Sequence, residues 1–125
     1  MPVSMIDTPQ IQALGGFLDV AATRAELIAS NMANIDTPGY RTRDINFQQE
    51  LDRATAGPEF GFASFSPVVR RVQGLAVRPD GNNVSLEREG LLLAETQLRF
   101  QAAVQILTSE FHTIQNAIRE GGAQS

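Results

Sequence analysis

The chain has no cysteine, no lysine and a single histidine, and each shortage removes a class of function. Without cysteine there is no disulfide framework, no thiol nucleophile and no zinc-thiolate site, and the redox character of its compartment leaves no mark. All ten basic residues are arginine. Codon usage is the simplest account of that bias, yet it leaves ten planar, forked donors suited to carboxylates across interfaces. Fourteen acidic residues give a net charge of -4, which argues against nucleic acid or an anionic membrane as the main partner. No apolar run approaches the roughly 20 residues that span a bilayer, so no direct membrane insertion is expected. Met1-Pro2-Val3-Ser4 lacks the basic and apolar blocks of a secretory signal. The expectation is a cytoplasmic protein, or one exported by a route that uses no cleaved signal.

Catalysis finds equally little footing. The one histidine, His112, lies beside apolar Phe111 and reads as a packing or surface residue. No HExxH, GxSxG, phosphate-binding glycine loop or metal-spaced carboxylate set is present. Glu87, Glu89 and Glu95 read as a solvated acidic face, and Asp36 and Asp44 flank a turn rather than converge. No catalytic residue, cofactor or metal site is expected, and the chain does not read as an enzyme.

What the sequence does have is periodicity. From residue 8 to 35, Ile11, Leu14, Leu18, Ala21, Ala25, Ile28, Met32 and Ile35 follow alternating steps of three and four, a helix seam of about four heptads. Thr8 is a suitable N-cap and Pro9 a suitable first helical residue. Gly15-Gly16 interrupts this seam at about 1 kcal/mol per glycine relative to alanine, and suggests a bend. From 85 to 119 a second seam runs through Leu86, Leu93, Phe100, Val104, Leu107, Phe111, Ile114 and Ile118, with Gly90 and Gln97 in the weak slots. Ser85 is placed to cap it, Glu87 and Glu89 sit at the positive end of its dipole, and Gly121-Gly122 is placed to close it after Arg119.

The fold class predicted is therefore mainly α. At 1.5 Å per residue the helices would be roughly 40 and 50 Å long, able to pack as a coiled-coil-like pair within one domain spanning residues 1–125. A narrow apolar stripe returns less on burial than ordering a long helix costs. The free subunit is thus expected to fray at its ends and to order on assembly.

Residues 41–84 differ in kind. Gly57-Pro58, Gly61, Pro67, Gly74, Pro79 and Asp80-Gly81 exclude a long helix there. Ile45, Phe47 and Leu51 support a short helical or extended piece, and Val68–Arg78 is rich enough in valine for a short strand. Phe60, Phe62 and Phe65 form an aromatic cluster that either covers one side of the helix pair or faces a subunit contact.

The most informative stretch is Ala29-Ser30-Asn31-Met32-Ala33-Asn34-Ile35-Asp36-Thr37-Pro38-Gly39-Tyr40. Pro38 disfavours helical geometry at Thr37, and Pro-Gly fits the centre of a type II turn from Thr37 to Tyr40. Asn31 and Asn34 stand one turn apart, off the seam, where their amides can satisfy the last helical carbonyls or the amides of the turn. Tyr40 adds an apolar body with a polar tip.

This stretch resembles the N-terminal signature of the bacterial flagellar axial proteins, the rod, hook and hook-associated subunits, through Ala29, Asn31, Ala33, Asn34, Thr37, Gly39 and Tyr40, with Pro38 also usual. Within that group the chain is most similar to the short proximal rod subunits. The shared features are its length, Asp80-Gly81-Asn82-Asn83-Val84 before Leu86-Glu87-Arg88-Glu89, and the stretch from Ala94 to Ala102. A Pro-Asn-Val-Asn element, usual in the sister rod subunit, is absent. The resemblance implies a structural subunit of the basal-body rod, the drive shaft carrying torque from rotor ring to hook. It implies export, unfolded, through the flagellar type III gate and assembly in the periplasm. Its partners would be other rod subunits, the rotor-ring/rod adaptor and the export gate. A generic coiled-coil adaptor or secretion-apparatus subunit would share the seams but has no need of the Asn31-to-Tyr40 motif.

Overall fold

The computed structural model describes residues 9–55 and 66–123. Thr8 and the Phe60, Phe62 and Phe65 cluster lie outside the described residues. Five elements follow one another: α1 (Pro9–Ala33), β1 (Arg43–Asp44), α2 (Phe47–Ala54), β2 (Arg70–Arg71) and α3 (Leu86–Ala123). The fold is mainly α, with long helices toward both ends and a short irregular middle.

Helix α1 starts with Pro9 in its first turn, where a missing N–H costs nothing. It runs unbroken through Gly15-Gly16, and Gly16 has a packing reason. A Cβ there would stand 3.1 Å from the Ala54 carbonyl oxygen and 3.3 Å from Ala54 Cβ, so glycine lets the end of α2 seat directly on α1.

The short helix α2 is the helical alternative for the Ile45–Leu51 stretch. Asn46 caps it, its side-chain oxygen accepting the Gln49 N–H at 3.0 Å. Its first residue, Phe47, packs edge-on against Phe17 of α1 with ring centroids 5.5 Å apart. The Arg24 and Arg99 guanidiniums lie 5.7 and 5.0 Å from the same ring, so one aromatic ring ties α2 to both long helices.

The valine-rich stretch contributes only Arg70–Arg71 to a ladder, antiparallel to β1 with Arg43 opposite Arg71 and Asp44 opposite Arg70. Pro67 just before it, and Gly74 at φ +82° just after, restrict the pairing to that length.

Helix α3 begins at the expected cap, the Arg88 N–H donating to Ser85 Oγ at 3.2 Å. It does not stop at Gly121-Gly122 but continues to Ala123. Neither glycine adopts the left-handed conformation that ends a helix; among the described residues only Gly39, Gly74 and Gly81 have positive φ.

Helices α1 and α3 run antiparallel, since Glu89 near the start of α3 meets Asn31 near the end of α1. Equal rise per residue carries this register to Pro9 beside about residue 111, so the last turns of α3 extend past the described start of α1.

The buried line of α1 comprises Gly16, Val20, Ala21, Ile28 and Asn31, taking in Ala21 and Ile28 of the sequence seam and the positions beside it. On α3 the buried residues are Glu89, Thr96 and Ala103, seven apart and one helical step from Leu93, Phe100 and Leu107. Among the described residues, buried apolar side chains are Val20, Ala21, Ile28, Ile45, Val84 and Ala103. Buried polar ones are more numerous, so hydrogen bonds rather than apolar bulk fix the centre of the fold.

Candidate functional site

Those buried polar groups converge where the end of α1, the turn after it, the 78–84 segment and the start of α3 meet. Asn31 is the hub and is 1% exposed. Its amide nitrogen donates to the Arg43 carbonyl at 2.8 Å and to Glu89 Oε2 at 3.2 Å. Its oxygen accepts from the Arg43 N–H at 3.1 Å and the Tyr40 hydroxyl at 3.0 Å. The side chain thus pairs with both backbone groups of Arg43 as a neighbouring strand would, and all four of its hydrogen-bonding positions are used.

Asn34 stays local. Its amide donates to the Ser30 carbonyl at 2.8 Å and its oxygen accepts the Thr37 hydroxyl at 3.0 Å. The Tyr40 N–H donates to the Thr37 carbonyl at 3.2 Å, closing a turn with Pro38 and Gly39 at its centre, and Gly39 has the φ of +76° that a type II turn requires. Tyr40 reaches back with its hydroxyl also 3.4 Å from Ser30 Oγ.

The facing segment is a tight hairpin. The Arg78 N–H donates to the Asn82 carbonyl and the Gly81 N–H to the Arg78 carbonyl, the three-residue loop for which Pro-Asp-Gly is suited. Gly81, at φ +86°, passes so near the first turn that a Cβ would stand 3.3 Å from Gly39 Cα. Asn82, fully buried, donates to the carbonyls of Asn34 and Thr37 at 2.9 Å each and accepts from Arg78 and from the Val84 N–H. Arg78 also donates to the Ile35 carbonyl at 2.6 Å, a cation at the negative end of α1. Asn83 accepts the Thr42 N–H at 2.6 Å. Two loops 40 residues apart in sequence are thereby held together by asparagine amides.

An ion network closes the inner side. Asp44 accepts from Arg24 at 3.1 Å and Arg88 at 3.0 Å, and Arg88 also reaches Glu89 at 2.7 Å. Glu89 is fully buried, so the reading of it as part of a solvated acidic face is corrected; the hydrogen bonds from Asn31 and Arg88 satisfy its carboxylate. Asp44 likewise binds two helices rather than merely flanking a turn. Glu95 does remain at the surface, paired with Arg99 one turn on.

The structure brings Asn31, Asn34 and Tyr40 into this junction and leaves Thr37, Pro38 and Gly39 exposed on its outer rim. Of the seam residues, Ile28 is buried, and Ile11, Leu14, Leu18, Met32, Ile35, Leu93, Leu107 and Ile114 are half-buried. Phe100, Val104, Phe111 and Ile118 are exposed in the single chain, as are Leu91 and Leu98, which are 72% and 68% exposed. Sequence reasoning missed Asp44, Arg78, Asn82 and Glu89 as members of the junction. The available signal was the pair Asn82-Asn83 directly after a Pro-Asp-Gly turn, a composition that offers amides to close-lying backbone. Among the described residues no cluster of histidine, aspartate or glutamate is arranged to hold a metal ion, and the geometry is that of a clasp.

Comparisons with known proteins agree with that geometry. Residues 18–41, from mid-α1 through Arg41, match the family described as flagella basal body rod protein. The chain is 32% identical to the flagellar basal body rod protein FlgB of Aeromonas hydrophila over 114 residues, covering 82% of this chain and 86% of that one. It is also 32% identical to FlgB of Salmonella typhimurium, covering 83% and 88%, and 29% identical to FlgB of Bacillus subtilis, covering 89% and 94%. With the Asn31-to-Tyr40 segment inside the matched stretch and relatives at 32% identity aligned over more than four-fifths of the chain, the chain belongs to the FlgB family of flagellar basal body rod proteins.

Proposed function

We propose that this rod subunit works as a single rod-core domain within the axial shaft that carries torque from the rotor ring to the hook. The observation that carries this reading is the open face of α3. Small or polar residues (Glu89, Thr96, Ala103) are buried, while Phe100, Val104, Phe111 and Ile118 remain 39–57% exposed. A helix that seats its small side chains inside its own chain and exposes its large apolar ones is suited to burial against neighbours.

In this reading the neighbours are further rod subunits, with the rotor-ring adaptor and export gate at one end, and the subunit reaches the periplasm through the flagellar export gate without a cleaved signal. Its role is mechanical and not enzymatic. The clasp supports such a role because it fixes the antiparallel helix pair through polar contacts, leaving the apolar surface for assembly. The alternative of a generic coiled-coil adaptor gains nothing from the match over residues 18–41.

Deleting the gene in the source bacterium tests the reading. Loss of motility and of intact rods, restored by the parent gene, is expected; normal swimming with intact basal bodies would overturn it. Asn34→Ala and Gly39→Ala are expected to impair assembly more than export, since each damages the turn. Variant protein confined to the cytoplasm on fractionation would contradict that.

A further inference from the structure

The clasp uses the backbone of Arg43 and the carboxylate of Asp44, but not the arginine side chains of the ribbon formed by β1 and β2. Of the ten arginines, Arg24, Arg53, Arg88 and Arg99 are paired with carboxylates, and Arg78 is spent on carbonyls and Asn82. Among the described residues the guanidiniums of the other five have no ion pair, and four of the five, Arg41, Arg43, Arg70 and Arg71, lie on or beside the ribbon.

The ladder aggravates this concentration. Arg43 and Arg71 are direct cross-strand partners, so their side chains leave the same face, and like charges placed so are unfavourable. The one carboxylate in the ladder, Asp44, is turned inward and neutralised by Arg24 and Arg88. The ribbon is also rigid, because the backbone N–H and C=O of Arg43 are both held by Asn31. Arg43, Val69, Arg70 and Arg71 line an open groove of about 260 Å³. A set of unpaired, mutually repelling forked cations on a backbone held at Arg43 suits planar anions.

We propose that this ribbon is a docking surface for the carboxylate side chains of an adjoining rod subunit; the inference rests on the rod reading above. Charge complementarity selects that occupant. The chain is net acidic, and its exposed Glu26, Asp36, Glu87 and Glu120 have no arginine partner among the described residues. Subunits of this composition carry unpaired surface carboxylates that such a ribbon can meet. The ribbon then gives lateral register between subunits whose apolar helix faces alone would slide.

A competing account is that charged residues on a short edge strand merely guard it against edge-to-edge pairing. Charge reversal separates the two, because glutamate guards an edge as well as arginine but repels a carboxylate. In the deletion strain, Arg43→Glu/Arg71→Glu subunits with the parent's helicity and export are expected not to restore swimming. Motile revertants are expected to carry second-site changes that remove an exposed Asp or Glu from this chain or another rod protein. Should the double reversal fail to fold, Arg43→Gln/Arg71→Gln takes its place, with reduced swimming expected. Full swimming by whichever variant folds overturns the docking surface while leaving the rod reading intact. A deletion strain that swims normally removes the rod reading and this inference with it. Binding of purified parent protein to phosphatidylglycerol vesicles, abolished by the same substitutions, would assign the ribbon to lipid and also overturn the proposal.

Discussion

At the residue scale, Asn31 illustrates why a buried amide is used where a leucine would seem cheaper. It replaces a missing strand, since β1 has β2 on one side and only this side chain on the other. Alanine at 31 would orphan both backbone groups of Arg43 and one oxygen of Glu89 in a buried setting. A loss of about 2–3 kcal/mol in urea denaturation is expected. Asn31→Asp, nearly the same shape, is expected to cost more, because it removes both N–H donors and sets a second carboxylate against Glu89. Equal midpoints for parent and Asn31→Asp would show that the amide is not read by its donors. The asparagine itself was legible from its spacing before the Thr-Pro-Gly turn. Its partner Glu89, 58 residues on, was not, because a surface glutamate and a buried one look alike in sequence.

Asp19 is a half-buried acid of α1. Burial raises its carboxyl above the usual 3.8, so the folded state favours the protonated form. The folded chain then binds more protons than the unfolded chain in and above that range, and stability falls as the pH rises through it. Asp19→Asn is expected to be more stable than the parent at neutral pH, with the difference closing below pH 3.8. Urea midpoints for both proteins at the two pH values check this, and a gap that widens on acidification would reverse the sign.

At the element scale, the helices, the turn and the cap of α3 were all readable, because each depends on residues within one or two turns of one another. The centre of the face by which α3 meets α1 was not, because the most buried residues lie to one side of the seam, with Leu93, Leu107 and Ile114 half-buried beside them. Apolar periodicity reports which side of a helix avoids water, not whose surface covers it. Thr96 and Ala103 are small and so permit close helix approach, yet small residues leave almost no periodic signal. This division predicts two contrasting variants. Ala103→Leu would overpack the contact with α1 and lower monomer stability by about 1–3 kcal/mol. Val104→Ser, one residue away but exposed, would leave the melt within about 0.5 kcal/mol of the parent and impair rod assembly. Reversed effects would mean that the sequence seam is the contact within the chain after all.

Across the whole molecule, order is graded from the clasp outward. Around Ile28, Asn31, Thr42, Asn82 and Val84 nearly every polar group is bonded and the side chains are buried. Along α3 the burial thins, and beyond Phe111 every side chain up to Gly122 is exposed except half-buried Ile114. That end of the helix extends past the described start of α1, and among the described residues little packs on it to protect its hydrogen bonds, so it is the part expected to fray. Amide exchange on the dilute subunit should therefore fall into two zones. Amides near Asn31 and Asn83 are expected to exchange only through global unfolding, and those beyond about residue 112 within the fast, locally opening class. Assembly should slow the second zone without changing the first, because neighbours would cover Ile114 and Ile118 while the clasp is already complete. Uniform protection along α3 in the free subunit would refute this gradient, and with it the expectation that the end of the helix orders only when the rod is built.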